Sequence, residues 1–98
     1  MDRRTIKWNR TAYLQMVYIA AWYRENVGTK AANSFISSLM HVLEQISTCP
    51  TIGMLDRKNS NARFEYRSFL IHPKYRIVYR ITKSTIRIVT IHCNLMST

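Results

Sequence analysis

Two stretches of the chain repeat their apolar residues every three to four positions, which is the spacing of one helical face. The first covers about residues 10–25 and ends before Gly28; the second begins at Thr29, which we expect to cap it, and ends at Cys49 and Pro50. The stripes consist of Ala12, Met16, Ile19 or Ala20, and Tyr23 in the first helix and of Ala32, Phe35, Ile36, Leu39, Val42, Leu43 and Ile46 in the second. The short connection predicts an antiparallel helical hairpin.

Alternation of apolar and polar residues indicates strands on both sides of this hairpin. Before it, Ile6 and Trp8 predict a short first strand that ends near Asn9, a residue suited to capping the first helix. After it, we expect three strands over about residues 63–71, 75–82 and 85–92. Pro73 cannot donate a hydrogen bond to a strand ladder, and it fits the turn between the first two of these strands.

The order of elements predicts a single α+β domain over residues 1–98, with the helical hairpin packed on one face of an antiparallel sheet (β-α-α-β-β-β). Residues 50–62 show neither period and are predicted to form a loop. The covered face of the sheet is predicted to carry Ile77, Tyr79, Ile81, Ile86 and Ile88. Alternation then places Arg76 and Arg80 on the open face, and Arg87 joins them if the register allows. The aromatic residues expected in the core or at its rim are Trp8, Trp22, Tyr66, Tyr75 and Tyr79.

Basic residues outnumber acidic ones by 15 to 5, which gives a formal net charge of +10 in 98 residues. Residues 56–98 contain nine basic and two acidic side chains, so this half carries +7 of the +10. Such a charge favours a polyanionic partner: a nucleic acid, an acidic protein or an anionic membrane surface. No apolar run approaches the roughly 20 residues that span a bilayer, and the first residues lack the apolar region of a secretory signal. We therefore expect a cytoplasmic protein with no membrane partner.

The two cysteines do not indicate a metal site. Cys49 and Cys93 have no CxxC spacing and no histidine in ligand register, so we interpret both as reduced thiols rather than zinc ligands or a disulfide. We expect no metal, no cofactor and no small-molecule substrate.

Residues 65–81, EYRSFLIHPKYRIVYRI, place arginines among residues with strand propensity and are the candidate site. The candidate anion-binding residues are Arg67, Tyr75, Arg76, Arg80 and Arg87. Tyr75, next to Arg76, is a candidate for stacking on a base. Two interpretations remain open: the arginines contact a nucleic acid directly, or they solubilise the sheet and pair with carboxylates of a partner.

At these residues the chain resembles the RelE/ParE superfamily, the toxins of bacterial type II toxin-antitoxin modules, often described as plasmid stabilisation proteins. The resemblance follows, over nearly the whole chain, a first strand ending in Trp8, the helical hairpin, CPTIG, EYRSF, and YRIVYRI followed by IRIVTIH. It implies a cytoplasmic toxin that a cognate antitoxin neutralises in a tight complex. Because the sheet is basic, we expect the antitoxin to place an acidic segment across it.

The superfamily contains two kinds of activity. RelE-like toxins cleave messenger RNA on the ribosome without a metal, whereas ParE-like toxins inhibit DNA gyrase. For cleavage, the resemblance assigns the catalytic arginine to Arg67, which would stabilise the phosphorane charge, with His92 or Glu65 as proton carrier. After His92 the chain reads CNLMST, without the arginine or tyrosine of ribonucleolytic relatives. Gyrase inhibition is therefore favoured; the alternatives are the ribosome-dependent endoribonuclease and a degenerate toxin that only binds antitoxin.

Overall fold

The computed structural model describes residues 3–72 and 74–93, with the backbone alone for His72. Its elements are β1 (Thr5–Trp8), α1 (Arg10–Asn26), α2 (Thr29–Thr48), a 3-10 turn (Pro50–Ile52), β2 (Met54–Leu55), β3 (Glu65–His72), β4 (Tyr75–Ile81) and β5 (Thr85–Cys93). The predicted order of strand, two helices and three strands is confirmed. The turn predicted at Pro73 lies outside the described residues.

The strands form one mixed sheet in the order β1-β5-β4-β3-β2. The pairs from β2 to β5 are antiparallel, as predicted. The antiparallel prediction is wrong for β1, which pairs parallel to β5 with Trp8 opposite Ile88. The physical reason is that the helical hairpin, and not a tight turn, connects β1 to the rest of the sheet, and such a crossover permits a parallel ladder.

The segment predicted as a loop contains two short elements. After the 3-10 turn, β2 pairs with β3, with Met54 opposite Ser68 and Leu55 opposite Arg67. Both residues of β2 are exposed, so the strand contributes backbone pairing rather than core. A strand of two residues is too short for a period of two to reveal it.

The predicted core is confirmed. Ile77, Tyr79, Ile86 and Ile88 are fully buried on the sheet face that the helices cover, and Ile81 is half-buried. The α2 stripe is buried throughout except for Ile36, which is half-buried. In α1 the buried residues are Ala12, Ile19 and Ala20, with Met16 and Tyr23 packed against them.

The helix starts differ from the predicted caps. Asn9 occupies the N-cap position of α1, but its side chain makes no capping bond. Its Oδ1 instead accepts a hydrogen bond from Nη1 of Arg87, at 3.0 Å. Gly28, not Thr29, is the N-cap of α2 and has a φ of 136°. That angle lies where side-chain-bearing residues are rarely found, so glycine is the residue that permits the tight turn between the helices.

Candidate functional site

Three basic side chains form a row on the open face of the sheet, the face opposite the helices. The register pairs Arg80 of β4 with Arg87 of β5, and Arg87 with Lys7 of β1. Residues directly opposite each other in neighbouring strands point to the same face. Lys7, Arg87 and Arg80 therefore lie side by side across three strands, and we call them the basic row. The predicted placement of Arg76, Arg80 and Arg87 on one face is confirmed by this register.

Neighbouring side chains hold the two arginines of the basic row in place. The Cζ atom of Arg80 lies 4.5 Å from the ring centroid of Phe64, and that of Arg63 lies 5.9 Å from the same centroid. Nε of Arg80 is buried and has no hydrogen-bond partner. Arg87 is oriented by its bond to Asn9. Cation–π stacking favours a guanidinium, but it leaves the N–H donors unsatisfied.

No carboxylate pairs with the basic row in the part of the chain that the structure describes. The ion pairs found there join Arg3 to Glu44 and Arg67 to Glu65. The basic row thus concentrates positive charge without an ion pair among the described residues, which favours an anionic partner.

Arg76 and His92 lie opposite each other on the open face, next to the basic row. Nη1 of Arg76 donates a hydrogen bond to Oγ of Ser68 at 3.0 Å. His92 is exposed and borders a shallow cavity of about 450 Å³ that Asp56 and Tyr66 also line. The imidazole of His92 and the carboxylate of Asp56, which both line this cavity, can move a proton, and the guanidinium of Arg76, opposite His92 in the register, can bind an anion.

A β-bulge places His92 on this face. Val78 pairs with Thr90 and Tyr79 pairs with Ile88, so Val89 is the extra residue in β5. The inserted residue reverses which side chains point inward beyond it. Ile91 therefore enters the core, and His92 turns to the open face beside Arg76.

Arg67 does not lie with the other arginines. It is opposite Tyr79 in the register, which places it on the helix-covered side of the sheet. Its Nε donates to the carboxylate of Glu65, and its Nη1 donates to the carbonyl oxygens of Gly53 at 2.8 Å and Thr51 at 3.3 Å. The sequence grouped Arg67 with Arg76 and Arg80 as candidate anion-binding residues, but the structure places Arg67 on the other face of the sheet.

This position also separates the residues assigned to RNA cleavage. Glu65 lies beside Arg67, but His92 lies on the opposite face of the sheet. The side chain of Arg67 is 19% exposed, and its Nη1 donates to carbonyl oxygens in the 3-10 turn and at Gly53, just before β2. Arg67 is built into the structure as an anchor of that segment.

Arg67→Met is expected to lower the free energy of unfolding by about 1–3 kcal/mol, because two backbone carbonyls lose their donor and Glu65 loses its cation. Arg57→Met is the matched control, since Arg57 is exposed on the following turn and its loss should change stability by less than about 0.5 kcal/mol. Urea denaturation measures both. Equal destabilisation of the two variants would contradict the anchoring role.

Tyr75 also lies on the covered side, away from Arg76. Its ring packs against Phe35 and Tyr23, with centroids 5.5 Å and 6.3 Å away. Burial, together with a hydrogen bond to Tyr23, raises the pKa of Tyr75 to about 12. The predicted pairing of Tyr75 with Arg76 for base stacking is therefore wrong, because neighbouring residues of a strand point to opposite faces.

The outer face of α1 forms a second surface, which was not predicted from the sequence. Leu14, Tyr18 and Trp22, spaced four residues apart, are 50%, 71% and 45% exposed. Trp22 was expected in the core or at its rim, but it is exposed and is not among the residues packed against the core. The three side chains line a groove of about 740 Å³ between α1 and the ends of β4 and β5, which Tyr75 and Ile91 also line. The four-residue spacing was the available signal, since it marks a second apolar stripe.

The groove exists because β1 covers only part of the β5 edge. β1 pairs with β5 as far as Ile88, and α1 runs beside the remainder. There Oε1 of Gln15 accepts hydrogen bonds from the backbone N–H of Ile91 at 2.8 Å and from Oγ1 of Thr90 at 2.9 Å. A side chain thus replaces a neighbouring strand, and the edge stays accessible beside an apolar surface.

Neither a metal centre nor a membrane-spanning helix is found within residues 3–72 and 74–93. That part of the chain contains no group of three or more His, Cys, Asp or Glu side chains placed to hold a metal ion. None of its helices has the length and apolar character needed to cross a membrane. Cys49 is exposed and Cys93 half-buried, and both are free thiols.

Comparison with known proteins gives a family and a fold. A family model described as the ParE toxin of the type II toxin-antitoxin system parDE matches residues 6–95. The fold is similar to that of the chromosomal ParDE toxin-antitoxin system from P. aeruginosa, with a TM-score of 0.71 and 17% identity over 93% of this chain and 96% of that one. It is also similar to the YoeB dimer from Staphylococcus aureus, with a TM-score of 0.61 and 21% identity over 90% of this chain and 93% of that one. No curated protein sequence matches the chain.

Proposed function

Since the chain belongs to the ParE toxin family and is the toxin of a type II toxin-antitoxin system, we propose that a cognate antitoxin neutralises it in the cytoplasm and that the released toxin inhibits DNA gyrase. The observation that carries the choice of target is the match to the ParE model over residues 6–95. The position of Arg67 supports it, because the arginine expected for cleavage is engaged in holding the fold.

The two exposed surfaces fit an antitoxin that wraps around the toxin. An amphipathic helix fits the groove beside Leu14, Tyr18 and Trp22, where apolar side chains are exposed at helical spacing. An acidic segment that follows this helix would reach the open face past His92, which borders both the groove and the cavity on that face. Carboxylates there would compensate the charge of the basic row.

Induction of the toxin in cells that lack the antitoxin tests the choice of target. The expected result is an accumulation of gyrase-linked DNA breaks while bulk translation continues at first. Rapid loss of messenger RNA with intact DNA would contradict gyrase inhibition. A cell that grows normally while the toxin still binds its antitoxin would identify the degenerate alternative.

A second candidate function is ribosome-dependent cleavage of messenger RNA, with Arg76 taking the role first assigned to Arg67. It is favoured by one observation: Arg76 and His92 are directly opposite each other on the open face. Attack by a 2′-hydroxyl needs a proton acceptor, a cation near the phosphorane and a proton donor. His92 would carry the proton, and Arg76 would stabilise the charge.

Primer extension on translated messages separates this candidate from the first. If the toxin cleaves RNA, Arg76→Gln and His92→Ala are each expected to reduce cleavage by about 100-fold or more, while Arg67→Met acts only through stability. The absence of cuts in messages from induced wild-type cells would remove the candidate.

A further inference from the structure

We propose that the basic row, Lys7, Arg87 and Arg80, is a binding site for a phosphate group. Neighbouring strands are about 4.8 Å apart, so the Cα atoms of these three residues span about 10 Å on one face of the sheet. Like charges directly opposite each other in a sheet repel. A row of this kind, with no carboxylate among the described residues to offset it, is stabilised when an anion binds.

Two contacts pre-organise the row for a ligand. Phe64 supports the guanidinium of Arg80 from one side, and Asn9 fixes the guanidinium of Arg87 through one of its N–H groups. No side-chain hydrogen bond of Arg80 occurs within residues 3–72 and 74–93, and its Nε is buried without an acceptor. Arginine carries five N–H donors, so several remain for an oxyanion.

The charge and geometry of the row favour phosphate over a single carboxylate. A carboxylate carries one negative charge, whereas a free or terminal phosphate carries close to two and offers three acceptor oxygens. The planar fork of arginine binds phosphate in a bidentate manner, and the lysine adds a point charge. The site therefore suits a free or terminal phosphate, or successive phosphodiester groups of a nucleic-acid backbone, each of which carries one negative charge.

Thermal unfolding of the purified chain tests the site with inorganic phosphate as the probe. At equal pH and ionic strength, phosphate at tenfold its Kd is expected to raise the Tm by about 6–10 °C relative to chloride. The Arg80→Gln/Arg87→Gln variant should lose this rise. The Arg57→Gln/Lys58→Gln variant removes the same charge from an exposed turn and should keep it. No rise in the wild type, or an equal rise in the Arg80→Gln/Arg87→Gln variant, would overturn the proposal.

Fluorescence anisotropy distinguishes the source of the phosphate. A short labelled single-stranded oligonucleotide is expected to bind the wild type at least about tenfold more tightly than the Arg80→Gln/Arg87→Gln variant. A glutamate peptide of the same net charge should bind more weakly than the oligonucleotide. Equal binding of the peptide would overturn phosphate selectivity. Stabilisation by inorganic phosphate without oligonucleotide binding would support the site and assign it to free phosphate.

The site is independent of the proposed target. If gyrase inhibition fails in induced cells, the phosphate response of the purified chain is unaffected. If phosphate does not stabilise the purified chain, the assignment to the ParE family and the proposed antitoxin partner are unaffected.

Discussion

Gly53→Ala is expected to lower the free energy of unfolding by about 2–4 kcal/mol. A Cβ at this position would lie 2.5 Å from the hydroxyl oxygen of Tyr79 and 2.7 Å from the carbonyl oxygen of Ser68. The same hydroxyl accepts a hydrogen bond from the Gly53 N–H at 3.0 Å and donates one to the Pro50 carbonyl at 2.6 Å. Alanine therefore adds steric strain and displaces a hydroxyl that holds the 3-10 turn to β4.

Urea denaturation of the wild type, the two single variants and the double variant tests whether the clash with the Tyr79 hydroxyl causes the loss of stability. Tyr79→Phe removes the hydroxyl, so the Gly53→Ala/Tyr79→Phe variant should be more stable than the sum of the two single changes predicts. Thr51→Ala, on the exposed side of the same turn, is the control and should cost less than about 0.5 kcal/mol. Full additivity of the two changes, or a Gly53→Ala variant as stable as Thr51→Ala, would contradict the clash.

Trp22→Ala is expected to weaken antitoxin binding by about 2–4 kcal/mol, a loss of about 30- to 1,000-fold. Trp22 is 45% exposed and borders the groove with Leu14 and Tyr18, so a helix in that groove would bury its ring. Large aromatic side chains at the centre of an interface contribute most of the binding energy. Because the ring is already half-exposed, its removal should affect the stability of the free toxin far less than it affects the complex.

Titration calorimetry at low and high salt separates the contribution of the groove to antitoxin affinity from that of the basic row. The affinity ratio between wild type and Trp22→Ala should stay the same as salt rises, because an apolar contact is lost. The affinity itself should fall with salt if an acidic segment covers the basic row. Met40→Ala is the control, since Met40 is 58% exposed on α2 and does not line the groove. An equal loss for Met40→Ala and Trp22→Ala would contradict the groove as the antitoxin site.

The sequence was sufficient to place the two faces of β4 but not those of β3. In YRIVYRI every second residue faces the helices, with Ile77 and Tyr79 buried and the two end residues half-buried, and Arg76 and Arg80 fall between them. In β3 the covered side carries Glu65 and Arg67, while Leu70 lies on the open side and is 43% exposed. Which way Arg67 points depends on the register with β4, and the irregularity between Leu70 and His72 shifts that register. Register is a property of two strands and cannot be read from one.

Other parts of the site required the assembled fold. Strict alternation from Ile86 and Ile88 would turn His92 inward, and only the bulge at Val89 brings it to Arg76. The sequence of β1 also does not show whether it pairs parallel or antiparallel, because Ile6 and Trp8 alternate in the same way in either kind of pair. The basic row depends on that pairing, since Lys7 belongs to β1.

The position of β5 between β1 and β4 makes this toxin late to fold during translation. β1 is synthesised early, but the residues that it pairs with lie in 85–88. In a nascent chain β1 therefore has no partner strand until β5 has left the ribosome. Lys7, Arg80 and Arg87 come together only at that moment. A prematurely terminated product that stops before Thr85 therefore never assembles the basic row, although it already contains Lys7 and Arg80.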